Sequence, residues 1–73
     1  MSDDRDWSDY AVEDIVCRRE TKGGALVCCV RDGKPADEFL IPKGLVRDDS
    51  EVFAVGTEGT LVIPTWLAEE KNL

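Results

Sequence analysis

The side chains that could do chemistry in this chain are carboxylates and thiols. The 73 residues include sixteen acidic residues and three cysteines, but no histidine. Without an imidazole, the commonest general base is missing, and a Ser-His-Asp or Cys-His arrangement is excluded within one chain. The candidate acid/base pairs are the neighbouring carboxylates Asp37-Glu38, Asp48-Asp49 and Glu69-Glu70. None lies beside an apolar pocket that would separate the two carboxyls in acidity, so we predict solvated carboxylates and no enzymatic activity.

The cysteines favour a structural role. Cys17, Cys28 and Cys29 are odd in number, so they cannot form a closed disulfide framework, and they lack the paired spacing of zinc sites. Cys28 and Cys29 point to opposite faces of a strand, so at most one lies in the core. We therefore predict packed thiols, no metal and no cofactor. Reduced thiols, an acidic N-terminus and the lack of an apolar run of roughly 20 residues favour a cytoplasmic protein.

Charge is divided unevenly along the chain. Residues 1–14 hold six acids and one base, residues 15–47 hold four acids and seven bases, and residues 48–73 hold six acids and one base. The net charge of -7 therefore hides a basic middle. A net negative protein is repelled by free nucleic acid, whereas its acidic ends attract a basic partner. Lys43 lies between Pro42 and Gly44 without the P-loop frame, so we interpret it as a solvated turn residue.

The elements that must position these groups are short strands. The predicted strands cover residues 10–21, 25–31, 38–41, 51–55 and 60–63, separated by glycine- or proline-containing turns at 22–24, 32–35 and 56–59. The first is the most ambiguous, because residues 10–21 also fit helical spacing; the β-branched pair Ile15-Val16 favours a strand. A single helical turn is predicted over 43–46. A helix begins at Pro64 or Thr65, with Trp66 and Leu67 packing back onto the sheet.

These elements predict a mainly β fold. Four to five short antiparallel strands with a C-terminal helix suggest a small OB-like or SH3-like barrel formed by residues 10–73. Residues 1–9 are predicted to be a flexible acidic arm, because their composition cannot bury enough surface to offset the entropy of ordering. Trp7 is a candidate anchor for that arm. If the protein self-associates, the expected contact is a barrel edge carrying Val52 and Phe53.

Several segments resemble a group of short uncharacterised proteins of phages and prophages. The resemblance covers residues 15–73 and is carried by FLIPK (39–43), DSEV (49–52), GTEG (56–59), LVI (61–63) and WLAEEK (66–71). This chain has Phe39 where the group frequently has Trp, and Gly44 where Ser is frequent. The resemblance implies a small phage-type accessory protein and supplies no catalytic residue.

The predicted function is a non-catalytic protein-interaction module whose acidic surface binds a nucleic-acid-handling protein. The alternative is a small barrel that binds single-stranded nucleic acid, with bases stacked on Phe39 and phosphates held by neighbouring cations. The oligomeric state stays open. The candidate interaction residues for both hypotheses are Arg18, Arg19, Lys22, Phe39, Lys43, Asp48, Asp49 and Trp66.

Overall fold

The fold is a four-stranded antiparallel sheet followed by a short helix. The computed structural model describes residues 4–73, apart from the side chain at position 35. Its elements are β1 (Asp9–Glu20), β2 (Ala25–Val30), β3 (Phe39–Pro42), β4 (Glu58–Pro64) and α1 (Thr65–Glu70), with 3-10 turns at Pro35–Asp37 and Lys43–Leu45. The strand order is β3-β2-β1-β4. The predicted mainly β, antiparallel fold with a C-terminal helix is confirmed, and the sheet curls into a half-barrel compatible with a small barrel.

β1 is the central strand, and two irregularities bend it. It pairs with β2 on one side and β4 on the other, which confirms the strand rather than the helix for this segment. The register with β4 shifts between Val12 and Ile15, where Asp14 has a φ of 59°. The register with β2 shifts between Cys17 and Arg19. Such bulges increase the local twist of a strand, which helps a sheet of four strands to curl.

The inner face of the sheet carries the core. The side chains of the core cluster are those of Ile15, Cys17, Leu26, Cys28, Ile41, Val52, Leu61, Ile63, Leu67 and Ala68. Of the neighbouring cysteines, Cys28 belongs to this cluster, but Cys29 is fully buried as well, so the prediction that at most one of them lies in the core is not confirmed. As predicted, Trp66 and Leu67 pack back onto the sheet. No helix in the part of the chain that the structure describes is long and apolar enough to span a membrane.

The predicted strand over residues 51–55 is wrong, because this segment forms a loop. Residues 47–51 run beside β4 and bond its outer edge: Arg47 N–H donates to Val62 O at 3.0 Å, and Glu51 N–H donates to Thr60 O at 2.9 Å. Val52 is fully buried instead of lying at an exposed edge, so it is not available for the self-association contact expected of it. The chain thus covers the edge of β4 without forming a fifth strand.

The Ser50 hydroxyl takes the place of a backbone acceptor at this edge. Its Oγ accepts hydrogen bonds from Val62 N–H at 3.1 Å and Val52 N–H at 3.2 Å, and donates to Val52 O at 2.8 Å. Ser50 is the buried polar residue among those described, with 6% of its surface exposed. A buried amide without an acceptor is costly, so one hydroxyl stabilises both the loop and the strand.

The segment before β1 lies against the start of α1. Asp6 O accepts a hydrogen bond from Trp66 N–H at 3.0 Å, and Ser8 O accepts one from Thr65 N–H at 2.8 Å. These two carbonyls satisfy amides that the first turn of a helix leaves without partners. The predicted arm 1–9 therefore holds residues that contact the helix, and residues 1–3 lie outside the described residues.

We expect the substitution Ser50→Ala to lower the free energy of unfolding by about 2–4 kcal/mol, because it leaves the Val52 and Val62 amides buried without an acceptor. The measurement is urea unfolding followed by far-UV circular dichroism. Ser8→Ala is the matched control, since the Ser8 hydroxyl is exposed, and its expected cost is about 0.5 kcal/mol. Equal losses in the two variants would contradict the role of Ser50.

Candidate protein-interaction site

The most exposed large apolar side chains of the described residues lie together on one loop. Val55 is 56% exposed and Phe53 is 55% exposed. They are two positions apart on the segment that joins the edge-covering residues to β4. We call residues 48–58 the acidic loop, because this stretch contains Asp48, Asp49, Glu51 and Glu58 and no basic residue. All four carboxylate residues are exposed.

The Thr57 side chain fixes the tip of the acidic loop. Its Oγ1 accepts hydrogen bonds from Phe53 N–H at 3.0 Å and Ala54 N–H at 3.2 Å, and donates to Ala54 O at 2.6 Å. The loop is also tied to β1, since Gly56 N–H donates to Cys17 O and Cys17 N–H donates to Thr57 O, both at 3.0 Å. Phe53 and Val55 are therefore presented on a hydrogen-bonded frame.

Glu51 and Gly59 form the base of the acidic loop. Glu51 Oε1 accepts a hydrogen bond from Thr60 N–H at 2.9 Å. Gly59 has a φ of 128°, and a Cβ at this position would lie 2.8 Å from Glu51 Oε1. Glycine alone adopts this conformation readily and leaves room for the carboxylate. Because Gly59 pairs with Ile15, the acidic residues Glu13 and Asp14 lie next to the base of the loop in the sheet.

A second surface feature lies two strands away, beside β3. It is an open groove of about 460 Å³, lined by Arg19, Thr21, Val27, Glu38, Phe39 and Leu40. Val27 is 5% exposed and Leu40 is 47% exposed, so one is buried beneath the groove and the other stands at its rim. An ion pair joins Arg19 Nη2 to Glu38 Oε1 at 3.3 Å across this surface.

The bulge in β1 places two arginines on the outer face of the sheet. Arg19 lies opposite Val27, and the Arg18 Nε donates to the Cys29 Sγ at 2.8 Å. Val27 and Cys29 are two residues apart on β2, so they share a face, and both arginines lie over that face. An unbroken strand would have sent neighbouring residues to opposite faces. Arg18 also donates to Gly33 O at 3.2 Å, which leaves Cys29 fully buried.

The other predicted interaction residues are spread over the molecule. Phe39 is partly buried against the core and also lines the groove beside Arg19. Lys22 is exposed in the turn between β1 and β2. Lys43 Nζ lies 3.4 Å from Glu20 Oε1 near the same turn. Asp48 and Asp49 are exposed in the acidic loop, beyond the opposite edge of the sheet.

Trp66 contributes to internal packing. Its ring meets that of Trp7 edge to face, with the centroids 5.3 Å apart. The Arg5 Cζ lies 4.4 Å from the centroid of the Trp66 ring, within the range of a cation-π contact. Trp66 is therefore enclosed by residues of the N-terminal segment. Its indole joins that segment to α1.

The thiols of the core are poor nucleophiles. Cys17 and Cys28 lie opposite each other on β1 and β2. Burial raises the pKa of Cys28 to about 12 and also raises the pKa of Cys17. A thiol with a raised pKa forms little of the reactive thiolate near neutral pH. Among residues 4–73, no group of three or more His, Cys, Asp or Glu side chains is placed to hold a metal ion.

Sequence reasoning missed Phe53 and Val55 as a loop pair, because the alternation of residues 51–55 suits a short strand. The sequence pattern gave no signal for this bonding, because the Thr57 hydroxyl accepts from amides three and four residues earlier in the chain. Comparison with known proteins adds no assignment. No protein-family model matches the chain, and neither the curated proteins nor the solved structures give a significant match.

We expect Thr57→Val to loosen the acidic loop. The substitution keeps the shape of the side chain but removes the acceptor of the Phe53 and Ala54 amides, so hydrogen exchange at those amides should accelerate by about tenfold. The matched control is Thr60→Val, since the hydrogen bonds at Thr60 involve its backbone. Exchange rates measured by NMR that change equally in both variants would contradict the role of Thr57.

We expect the raised pKa of the Cys28 thiol to make the protein less stable at alkaline pH than at neutral pH. Because its pKa is raised in the folded protein, the Cys28 thiol loses its proton at lower pH in the unfolded chain than in the folded one. Its contribution to the free energy of unfolding is therefore complete below the ordinary thiol pKa of about 8.5 and declines as the pH rises toward 12. Between pH 8 and pH 10, the free energy of unfolding measured in urea should fall by about 2 kcal/mol less in Cys28→Ala than in the unmodified protein. Identical losses would contradict this assignment.

Proposed function

We propose that the protein is a non-catalytic interaction module, and that its acidic loop binds a basic, partly apolar surface on a nucleic-acid-handling protein. The observation that carries the proposal is the exposure of Phe53 and Val55 on a hydrogen-bonded loop. Neighbouring large apolar side chains that more than half face solvent are unfavourable in an isolated protein, and such patches commonly mark interaction sites.

The rigidity of the loop favours binding. A loop that already holds its bound conformation loses less conformational entropy on association. The hydrogen bonds of Thr57 to the Phe53 and Ala54 amides supply that order in the free protein. In protein interfaces a few central apolar anchors commonly carry most of the binding free energy. Phe53 is the candidate anchor, and Val55 is its neighbour.

The charge of the loop indicates the kind of partner. Its four carboxylates flank the apolar tip in the sequence, and only Glu58 has an ion pair, with Arg31, among the described residues, so electrostatic attraction selects a positively charged surface. Surfaces of that sign are typical of proteins that bind nucleic acid. The resemblance to short phage-type proteins favours a phage or host enzyme as the partner. The phage origin and the location in the cytoplasm are parts of the proposal.

The geometry gives less support to direct nucleic-acid binding. Arg19 and Lys43 each form one ion pair within the protein, with Glu38 and Glu20 respectively, so the face is not a continuous basic surface of the kind that holds a phosphate backbone. Phe39 is partly buried against the core, so only part of its side chain is available on the surface that carries Arg19. A stacking platform needs the aromatic ring and the cations on one surface.

The test compares the unmodified protein with two substitutions of matched chemistry. Phe53→Ser removes the proposed anchor, and Leu40→Ser makes a similar change at a residue of similar exposure beside the groove. Each protein is immobilised and exposed to host lysate at low and physiological salt. A supporting result is a basic nucleic-acid-handling protein that is retained by the unmodified and Leu40→Ser forms and lost by Phe53→Ser.

The interaction is then measured with the purified partner. We expect Phe53→Ser to raise the dissociation constant by about 30-fold, the effect of losing an anchor that contributes about 2 kcal/mol. Leu40→Ser should change the dissociation constant by less than about threefold. Equal weakening by the two variants, or no captured protein that depends on Phe53, would refute the proposal. Salt-sensitive binding to single-stranded DNA without a protein partner would favour the alternative.

A further inference from the structure

The outer edge of β3 offers backbone groups that no strand within residues 4–73 uses. Lys43 N–H donates to Gly24 O at 3.0 Å, and the β2 pairing continues through Ile41 with Leu26. Alternate residues of an antiparallel strand face the same neighbour, so Phe39 and Ile41 direct their backbone groups toward β2. The N–H and C=O of Leu40 therefore point away from the sheet. The opposite edge, at β4, is covered by residues 47–51.

The groove beside this edge fits an extended chain. Its volume of about 460 Å³ is open to solvent, with Val27 buried beneath it and the half-exposed Leu40 at its rim. A peptide that adds a strand to a sheet edge uses main-chain hydrogen bonds for affinity and places alternate side chains in such pockets. The pocket beside Leu40 suits one aliphatic side chain of an added strand.

The charges around the groove specify the rest of the occupant. Residues 15–46, which include β2, β3 and the second half of β1, carry six bases and four acids in a chain whose net charge is -7. The Arg19 side chain is 70% exposed, and its ion pair with Glu38 involves one of its terminal nitrogens. A guanidinium has five donors, so Arg19 retains donors for a carboxylate of the occupant. Lys22 and Lys43 lie near the end of β3 at the hairpin turn.

We infer that the β3 edge and its groove bind an extended acidic segment of a partner protein, with one aliphatic residue in the groove and carboxylates facing Arg19 and the hairpin lysines. This surface is separate from the acidic loop. It binds an acidic ligand, whereas the acidic loop is proposed to bind a basic one. The acids elsewhere in the chain are screened over about 8 Å at physiological ionic strength, which reduces their repulsion of an acidic ligand at this surface.

A second copy of this chain is a poorer occupant. Two copies would bring the bases of two β3 edges together. In an antiparallel self-pairing centred on Leu40, Pro42 of each copy would lie opposite Glu38 and would have no N–H to donate. An acidic strand from another protein avoids the repulsion between like charges and brings no second proline to the edge. Its pairing can use Leu40 and the carbonyl of Pro42.

The test uses three fluorescent synthetic peptides. The first has the sequence Asp-Glu-Val-Leu-Val-Glu-Asp, the second replaces its four acids with lysine, and the third repeats the first with N-methyl groups on alternate amides. We expect the acidic peptide to bind with a dissociation constant below about 1 mM and the lysine peptide at least about tenfold more weakly. The N-methylated peptide should not bind, because the edge-facing hydrogen bonds are removed.

Two variants of the protein locate the site. Arg19→Glu should weaken the acidic peptide by roughly tenfold, whereas Arg31→Glu, the same charge change at a residue paired with Glu58, should change binding by less than about twofold. Leu40→Pro removes the outward N–H at an edge position that tolerates proline, and should abolish binding. In the unmodified protein, the Leu40 amide should exchange more slowly when the peptide is bound.

Several results would overturn the inference. They are the absence of saturable binding up to about 1 mM peptide, equal affinity for the acidic and lysine peptides, and equal weakening by Arg19→Glu and Arg31→Glu. A dimer in sedimentation that Leu40→Pro dissociates would show instead that a second copy occupies the edge. If Leu40→Pro fails to fold, the N-methylated peptide still decides whether backbone pairing is needed. Loss of Phe53 leaves these measurements unchanged.

Discussion

The Ser50 hydroxyl is the interaction on which the arrangement of the second half of the chain depends. A backbone carbonyl would ordinarily accept the outward amide of β4, but the chain at this point has left the extended conformation. Ser50 Oγ accepts from Val62 and Val52 together, at 3.1 and 3.2 Å. One buried oxygen therefore joins the edge strand to the loop that covers it. Val52 is thereby held in the core, and the residues after it project outward.

The shape of the acidic loop is fixed by the Ser50 hydrogen bonds at one end and by hydrogen bonds to β1 at the other. After Val52, the chain is turned by the Thr57 hydroxyl and returns to pair with Cys17. Apolar side chains in a free loop would collapse onto the nearest core surface. Here both ends are fixed, so Phe53 and Val55 remain in solvent. Their exposure follows from the hydrogen-bond frame.

The sequence predicts the sheet better than it predicts what covers the sheet. β2 is predicted from a continuous apolar run, and the turn before it is predicted from Gly23-Gly24. Both signals depend on local conformational preferences. The strand predicted at 51–55 failed because its alternation is the same in a strand and in a loop with one buried residue. Whether Val52 pairs with a strand depends on a serine hydroxyl two residues earlier, and periodicity contains no information about that bond.

The candidate surfaces were predictable to different extents for the same reason. Composition places Asp48 and Asp49 in a solvated loop, and the structure agrees. The side-by-side placement of Arg18 and Arg19 is not predictable from a period of two, because the register shift after Cys17 changes the face of one of them. The strand order also lies beyond local pattern, so the sequence alone did not identify β3 as an edge.

The two edges of the sheet are treated differently, and the difference bears on function. Covering the β4 edge requires residues 47–51 and a buried hydroxyl, which is a large share of a short chain. The β3 edge is protected mainly by its length of four residues and by Pro42, two devices that limit aggregation without hiding the backbone. The Ser50 hydroxyl and residues 47–51 show that a short segment of this chain is enough to cover a sheet edge. The open edge lies beside an apolar groove and an arginine with unused donors, where a bound strand gains hydrogen bonds, apolar contact and charge pairing at once.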